Sequence, residues 1–160
     1  QYFPKPADIR RHITGTAETN ALQAWSKVER AMERIGRYST VVFDEPVIHA
    51  VITDMGGWVF LCERLVSCSD EEHPFVVKEF RDRYAGYYGR HPERYQGKLT
   101  GIAERNIIAG GWLEKGFSLP DPEYVGDREK AKAVLEGGFD KAKEIESATK
   151  LIERLTEEIV

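Results

Sequence analysis

The sequence predicts a mainly α-helical protein, a compact multi-helix bundle with a C-terminal helical extension. Apolar residues recur every three or four positions over several stretches, which is the period of an amphipathic helix. Glycines and prolines interrupt these stretches where helices begin and end. One run, Tyr38 to Phe43, is rich in β-branched and aromatic residues, and a single run without a clear partner does not predict a sheet.

The composition is that of an ordinary globular protein. The chain has 160 residues, 41% of them hydrophobic and 31% charged, which suffices for one substantial core. No apolar run approaches the roughly 18 residues of a membrane span and no signal peptide is evident, so we expect no membrane association and a cytoplasmic location.

Cys62 and Cys68 are too few for a disulfide scaffold and are expected to be reduced thiols. The net charge of -4 argues against a surface that binds nucleic acid throughout.

The beginning of the chain predicts two helices. Pro6 suits the first turn of a short helix that Gly15 ends. A longer helix follows from Thr16, which can cap its start, to Gly36, which suits the left-handed position at its end. The inner face of this helix carries Leu22, Trp25, Val28, Met32 and Ile35.

Tyr38 to Phe43 is interpreted as a connector, and three helices follow it. Gly56 and Gly57 end the first of these through a left-handed turn, so that Trp58 can start the second at once. Pro74 suits the start of the third, because proline has no amide hydrogen to donate. The predicted helices cover about residues 45–55, 58–65 and 74–88.

The rest of the chain is predicted to contain a short helix, a linker and a helical pair. "GIAERNIIAGG" indicates the short helix, and "SLPDPEYVGD" has the prolines and aspartates of a linker. "REKAKAVLEGG" and a final helix from about Asp140 follow. We therefore expect a helical core domain over residues 1–118, and a linker with a C-terminal helical pair over residues 119–160.

The final helix has a row of apolar residues that could pair with a second copy of the chain. Its apolar residues have the spacing of a narrow coiled-coil seam, over barely two heptads. Two alternatives stay open, that the helix packs on its own domain and that it pairs with another chain in a homo-oligomer. The seam consists of Ile145, Ala148, Ile152, Leu155 and Ile159.

The helix faces also predict which residues form the core. Side chains that repeat on one face of a helix are expected to pack against neighbouring helices. The predicted core residues are Leu22, Trp25, Val28, Met32, Ile48, Val51, Ile52, Trp58, Leu61, Phe80 and Tyr84.

The segment "FDEPVIHAVITDMGGW", residues 43–58, combines acids, a histidine and a double glycine. On a helix, His49 and Asp54 lie about 140° apart around the axis, too far to share a ligand or a proton. Glu45 lies one turn before His49, so we expect these two side chains to form a pair on the surface. The alternative is half of a metal site in a metal-dependent enzyme, to which a second helix would supply more ligands.

The segment "RDRYAGYYGRHPERYQGK", residues 81–98, interleaves cations with tyrosines. Cations that hold phosphates and aromatic rings that stack on bases are typical of a surface that binds single-stranded nucleic acid. The alternative is an ordinary amphipathic helix, with tyrosines on the apolar stripe and arginines in solvent. The candidate nucleic-acid-binding residues are Arg81, Arg83, Tyr88, Arg90, Arg94, Tyr95 and Lys98.

Signatures of enzymes are missing from the sequence. There is no Gly-rich phosphate loop, no Gly-x-Ser-x-Gly elbow and no constellation of cysteine and histidine. The four histidines are scattered along the chain. We therefore predict no catalytic residue, no cofactor and no metal site, and favour a protein that is not an enzyme.

Three stretches resemble a family of uncharacterised proteins found in bacteriophages and bacterial prophages. They are "YFPKPADIRRHITGT", "ALQAWSKVERAMERIGRYSTVVFDEPVIHAVITDMGGW" and "LC" with "FVVKEFRDRYAGY", which together cover roughly the first 90 residues. The proline-rich entry to a helix is also similar to the end of small phage proteins that act with replicative helicase loaders. The resemblance implies a helical protein expressed with phage genes, beside replication genes, and it implies no catalytic residues. Together with the missing enzyme signatures, it leads to the hypothesis of a non-enzymatic phage accessory protein that binds a protein or nucleic-acid partner in a role linked to replication.

Overall fold

The computed structural model of the protein describes residues 5–87 and 89–159, with the side chains of all these except residues 7–15, 141–143, 145 and 146. The described residues form seven α-helices and two short strands, which confirms the mainly α-helical class. None of these helices is both long and apolar enough to cross a bilayer. The elements are α1 (Pro6–Arg34), β1 (Val41–Phe43), α2 (Pro46–Asp54), α3 (Trp58–Ser67), α4 (His73–Gly86), α5 (Ile102–Ala109), β2 (Glu123–Val125), α6 (Arg128–Gly137) and α7 (Lys141–Ile159).

The first helix is longer than the sequence predicts. α1 continues through Gly15, so the prediction of two helices separated at this residue is wrong. One glycine costs a helix only about 1 kcal/mol relative to alanine, and the alanines that follow favour the helical state. The predicted end is confirmed, because α1 ends at Arg34 and Gly36 has a φ of 79°. The amide of Gly36 donates to the carbonyl of Ala31 at 3.2 Å, as in a helix C-cap.

The segment predicted to be a connector contains a buried strand. β1 pairs in parallel with β2, with Val41 opposite Glu123 and Phe43 opposite Val125. On its other side, Val41 exchanges backbone hydrogen bonds of 3.0 and 2.9 Å with Leu99. The interpretation of residues 38–43 as a connector is therefore wrong, because the partner strand lies far along the chain. That partner is part of the segment predicted to be a linker.

The core surrounds β1, whose three side chains are fully buried. Most predicted core residues are buried, while Met32 and Tyr84 lie half-buried against them. Leu22 is 51% exposed, so its prediction as a core residue is wrong. In its place α1 presents small alanines to the core, which lets the helix approach closely. The main buried residues are Ala24, Trp25, Val28, Ala31, Val41, Phe43, Ile48, Val51, Ile52, Met55, Trp58, Leu61, Cys62, Val76, Phe80 and Leu99.

A second buried cluster joins α6 to the sheet. Val42, Ala50 and Tyr95 pack there with Ala131 and Val134 of α6. Residues on both sides of the predicted division at position 118 therefore pack together.

The double glycine forms the tight turn that the sequence predicts. Gly56 and Gly57 have φ values of 105° and 96°, which glycine adopts without a steric penalty. The amide of Gly57 donates to the carbonyl of Ile52 at 2.8 Å, and α3 starts at the next residue. The indole N–H of Trp58 then donates to the carbonyl of Gly36 at 3.1 Å, which ties α3 to the end of α1.

Replacement of Gly101 by alanine is expected to destabilise the fold by about 2 kcal/mol or more. A Cβ at this position would overlap the backbone of Tyr38 and Ser39, against which α5 begins. Gly86→Ala is the matched control, because its Cβ would meet nothing within 4 Å and alanine favours the helix by up to about 1 kcal/mol. Urea unfolding measures both changes, and equal stabilities of the two variants would contradict the close approach.

Candidate functional site

His49 is buried and holds two segments of backbone together. Its side chain is 0% exposed. The amide of Phe43 donates to Nε2 at 2.8 Å, and Nδ1 donates to the carbonyl of Gln96 at 2.6 Å. Burial lowers the pKa of His49 to about 4, so the imidazole is neutral near pH 7. Since both ring nitrogens are engaged, His49 has no free lone pair for a metal ion or for proton transfer.

The predicted surface pair of Glu45 and His49 is therefore wrong. β1 and the backbone around Gln96 cover the side of α2 that was expected to face solvent. The sequence does contain a signal of this burial, because the run "VIHAVI" is apolar on both sides of His49. Such a run is typical of a helix that is buried on nearly all faces. The structure also separates Glu45 from His49 by giving Glu45 other partners.

Asp44 and Glu45 form a polar cluster at the end of β1. The ammonium of Lys27 lies 2.7 Å from Asp44 Oδ1 and 3.0 Å from Glu45 Oε1. Asp44 also accepts a hydrogen bond of 2.9 Å from the amide of Asp127, and Glu45 accepts one of 2.6 Å from the hydroxyl of Tyr84. Burial by itself raises the pKa of Asp44, but the hydrogen bonds from Lys27 and Asp127 outweigh it and lower the pKa. These acids thus join α1, α4 and the start of α6 to the sheet.

Lys98, a candidate nucleic-acid-binding residue, lies mostly inside the fold. Its ammonium pairs with Oε1 of Glu104, a side chain that is only 1% exposed. The other carboxylate oxygen of Glu104 accepts a hydrogen bond from the hydroxyl of Thr40. Thr40 in turn accepts one from the amide of Gly101 at 3.1 Å. Since a buried carboxylate is stable only when it is paired and hydrogen-bonded, Lys98 is committed to Glu104.

Three candidate arginines lie on or near α4. Arg83 is exposed and pairs with Glu79 at 3.3 Å, and Arg90 is exposed and donates to the carbonyl of Gly86 at 3.0 Å. Arg83 and Arg90 line one depression of about 480 Å³, which two acidic side chains also line. Arg81 is half-buried. The cations that reach this surface are therefore mixed with acids.

Among the described residues, Arg94 and Tyr95 do not form a stacking platform. The guanidinium of Arg94 lies 4.3 Å from the centre of the Phe139 ring. Tyr95 is 8% exposed, and its hydroxyl donates to the carbonyl of Val134 at 3.1 Å. Its ring belongs to the second buried cluster and offers no open face to a base. Tyr88 lies outside the described residues.

The two cysteines lie at positions of different burial, Cys62 inside the core and Cys68 half-buried. Burial raises the pKa of Cys62 to about 12, so this thiol stays protonated. Both cysteines are free. Within the described ranges, no three or more histidine, cysteine, aspartate or glutamate side chains are grouped so that they could hold a metal ion.

The surface of α7 carries an unpartnered apolar row. Every described side chain of this helix is exposed. The exposed fractions are 54% for Leu151, 64% for Ile152, 49% for Leu155 and 86% for Ile159. At 100° per residue, these four side chains and Ala148 fall within a sector about 100° wide. This is the width of a helix face that packs on another protein surface.

Residues 41–138 match the model of a family described as a domain of unknown function, DUF6475. The matched range is more than half of the chain and runs from β1 to the residue after α6. α1 and α7 lie outside this range. No curated protein and no solved structure gives a match to the chain.

The stability of the protein is expected to fall as the pH is lowered from about 6.5 towards 4. The pKa of His49 is about 4 in the folded protein, against an ordinary value of 6.5, so the unfolded chain binds a proton that the folded one excludes in this window. The stabilisation is complete above pH 6.5 and decreases by about 2 kcal/mol between pH 7 and pH 5. Urea unfolding at both pH values measures it.

His49→Gln is the control for this pH dependence. Glutamine does not titrate, so the variant is expected to be less stable at pH 7 and to lose less stability at pH 5 than the wild type. If the stability of His49→Gln depended on pH as strongly as that of the wild type, groups other than His49 would cause the pH dependence.

Lys98→Met is expected to destabilise the protein by about 3–5 kcal/mol, because it leaves the carboxylate of Glu104 buried without a cation. Lys98→Met with Glu104→Gln removes that charge and is expected to be more stable than Lys98→Met alone. Lys132→Met is the control, since Lys132 pairs at 3.7 Å with the exposed Glu129 and contributes at most about 1 kcal/mol. Urea unfolding of the wild type and the three variants tests this, and a Lys98→Met variant as stable as Lys132→Met would contradict it.

Proposed function

Since the chain belongs to the DUF6475 family, we propose that it is a non-enzymatic accessory protein that binds a protein partner through the apolar face of α7. The observation that carries this proposal is the exposure of that face. Leu151, Ile152, Leu155 and Ile159 are each at least 49% exposed along one side of the helix. Full burial of a leucine or isoleucine side chain contributes about 1.5–3 kcal/mol, so a partner that covers this face gains substantial binding energy.

The width of the face favours a groove in the partner over a second copy of α7. Ala148, Ile152, Leu155 and Ile159 alone have the spacing of a narrow two-helix seam. Leu151 is 54% exposed beside this seam and widens the apolar sector to about 100°. One facing helix covers a narrow seam, whereas a groove between helices covers a wider face.

The charges of α7 indicate which side chains surround the groove of the partner. α7 contains five glutamates against four cations, and the excess of acid lies at its C-terminal end, where the glutamates 153, 157 and 158 stand against one cation, Arg154. Basic side chains around the groove of the partner, placed against this C-terminal end, would complement its acidic charge and speed association.

The biological setting of the proposal is a bacteriophage or prophage. Its support is the resemblance of roughly the first 90 residues, including "FDEPVIHAVITDMGGW", to proteins of phages and prophages. The similarity of the proline-rich start to phage proteins that act with helicase loaders extends the proposal to a role in replication. The partner is then a protein that phage or host replication employs.

Capture from the lysate of an induced lysogen tests the proposal, with nuclease-treated and untreated lysates compared. A protein retained by the wild type in both lysates is identified, purified and titrated against each variant. Leu155→Asp is expected to weaken this binding more than tenfold, since it places a charge in the apolar contact. Ser147→Asp adds the same charge on the polar side of α7 and is expected to retain the wild-type affinity.

Three outcomes would overturn the proposal. One is the absence of any captured protein whose binding Leu155→Asp weakens. Another is capture that nuclease abolishes, which would indicate nucleic acid as the ligand. The third is a dimer in sedimentation measurements that Leu155→Asp dissociates, because α7 would then be covered by a second copy of the chain.

A further inference from the structure

The edge of β2 that faces away from β1 borders a groove. The groove has a volume of about 890 Å³, and its opposite wall is the second half of α1. Ligand sites in proteins have volumes of roughly 300–1,000 Å³, so the groove is large enough for one. It is lined on one side by six residues of α1 between Gln23 and Arg34, with Ile35 and Ser39, and on the other side by residues 123–126.

β2 has backbone groups available at this edge. In a parallel ladder, alternate residues of a strand bond to the same neighbour. The amide of Glu123 donates to the carbonyl of Thr40 at 2.8 Å, so Glu123 and Val125 face β1. Tyr124 therefore presents its N–H and C=O to the groove, and neither forms a backbone hydrogen bond within the described residues. An open edge of this kind is a template for another strand.

The α1 wall of the groove is basic. Lys27, Arg30 and Arg34 are spaced three and four residues apart and share one side of the helix. Lys27 is occupied by the acids at the end of β1. Arg30 and Arg34 are exposed and form no ion pair among the described residues. Like charges one turn apart repel each other, so an anionic ligand between them would relieve a destabilising contact.

We propose that this groove binds an extended acidic peptide segment of a partner protein, which adds to the edge of β2 as a further strand. Strand addition uses the free N–H and C=O of Tyr124, and acidic side chains of the peptide pair with Arg30 and Arg34. The wall from Gln23 to Arg34 is about 17 Å long at 1.5 Å per residue. That length corresponds to about five residues of a strand, which suits a short linear segment.

The open backbone edge favours a peptide over a nucleic acid. A nucleic acid could use the arginines but has no backbone amide and carbonyl in the register of a strand. The site is also separate from the apolar face of α7. Leu155→Asp is therefore expected to leave peptide binding unchanged, so the failure of one proposal does not imply the failure of the other.

Fluorescence anisotropy with a labelled peptide tests the charge of the groove. The probe is Thr-Glu-Val-Glu-Val-Glu-Thr, with a peptide carrying lysine in place of glutamate as its counterpart. We expect saturable binding of the acidic peptide alone, weakened more than tenfold by Arg30→Glu with Arg34→Glu. Arg90→Glu with Arg105→Glu gives the same change in net charge at exposed sites outside the groove and is expected to keep the affinity. Absence of binding, or equal losses in both double variants, would overturn the proposal.

Tyr124→Pro and Tyr124→Ala test the strand addition. Both remove the ring, but only proline removes the N–H at the open edge, where strands tolerate it. Loss of that hydrogen bond is expected to weaken binding by the proline variant about tenfold relative to the alanine variant. Circular dichroism and urea unfolding check whether each variant folds. If the proline variant does not fold, the arginine variants decide whether the groove binds the peptide. Equal affinities of two folded variants would refute strand addition, and displacement of the peptide by an oligo(dT) strand would reassign the groove to nucleic acid.

Discussion

The buried backbone of β1 is the constraint on which the rest of the structure depends. Its side chains are fully buried, so each of its amides and carbonyls needs a partner inside the protein. β2 serves one edge, and on the other edge Leu99 bonds to Val41. The imidazole of His49 then accepts the next free amide, that of Phe43, where the ladder with Leu99 does not continue. Three distant parts of the chain are thereby held around one strand of three residues.

Most of the chemistry-rich residues serve this same packing. Lys27 neutralises Asp44 and Glu45 at the end of β1, and Lys98 neutralises Glu104 behind it. Charges that are paired and hydrogen-bonded in this way stabilise an arrangement and are not available to a substrate. The apolar face of α7 and the groove beside β2, whose α1 wall is basic, differ in chemistry, and the two proposals assign them to different features of a protein partner.

The candidate site was only partly predictable from the sequence. The apolar residues of α7 are visible from their spacing, but their exposure is a property of the folded chain. The sequence shows that residues 81–98 combine cations with tyrosines. It does not show which of these side chains point to solvent and which point into the core. Tyr95 turns inward because Val134, 39 positions along the chain, accepts its hydrogen bond. Lys98 turns inward towards Glu104, which the fold buries. The groove is invisible in the sequence, since its two walls are about 90 positions apart along the chain.

By itself, the sequence determined the helices that follow β1, the glycine turn between α2 and α3, and most of the core residues. These are local properties, which the period of the apolar residues, the proline at a first turn and glycine at positive φ encode within a few residues. Only the tertiary structure decided that residues 41–43 are a strand, which backbone groups His49 bonds to and that Leu22 is exposed. The strand and the bonds of His49 depend on distant parts of the chain, because three residues form a strand only when another strand satisfies their backbone and because Gln96 lies 47 positions from His49.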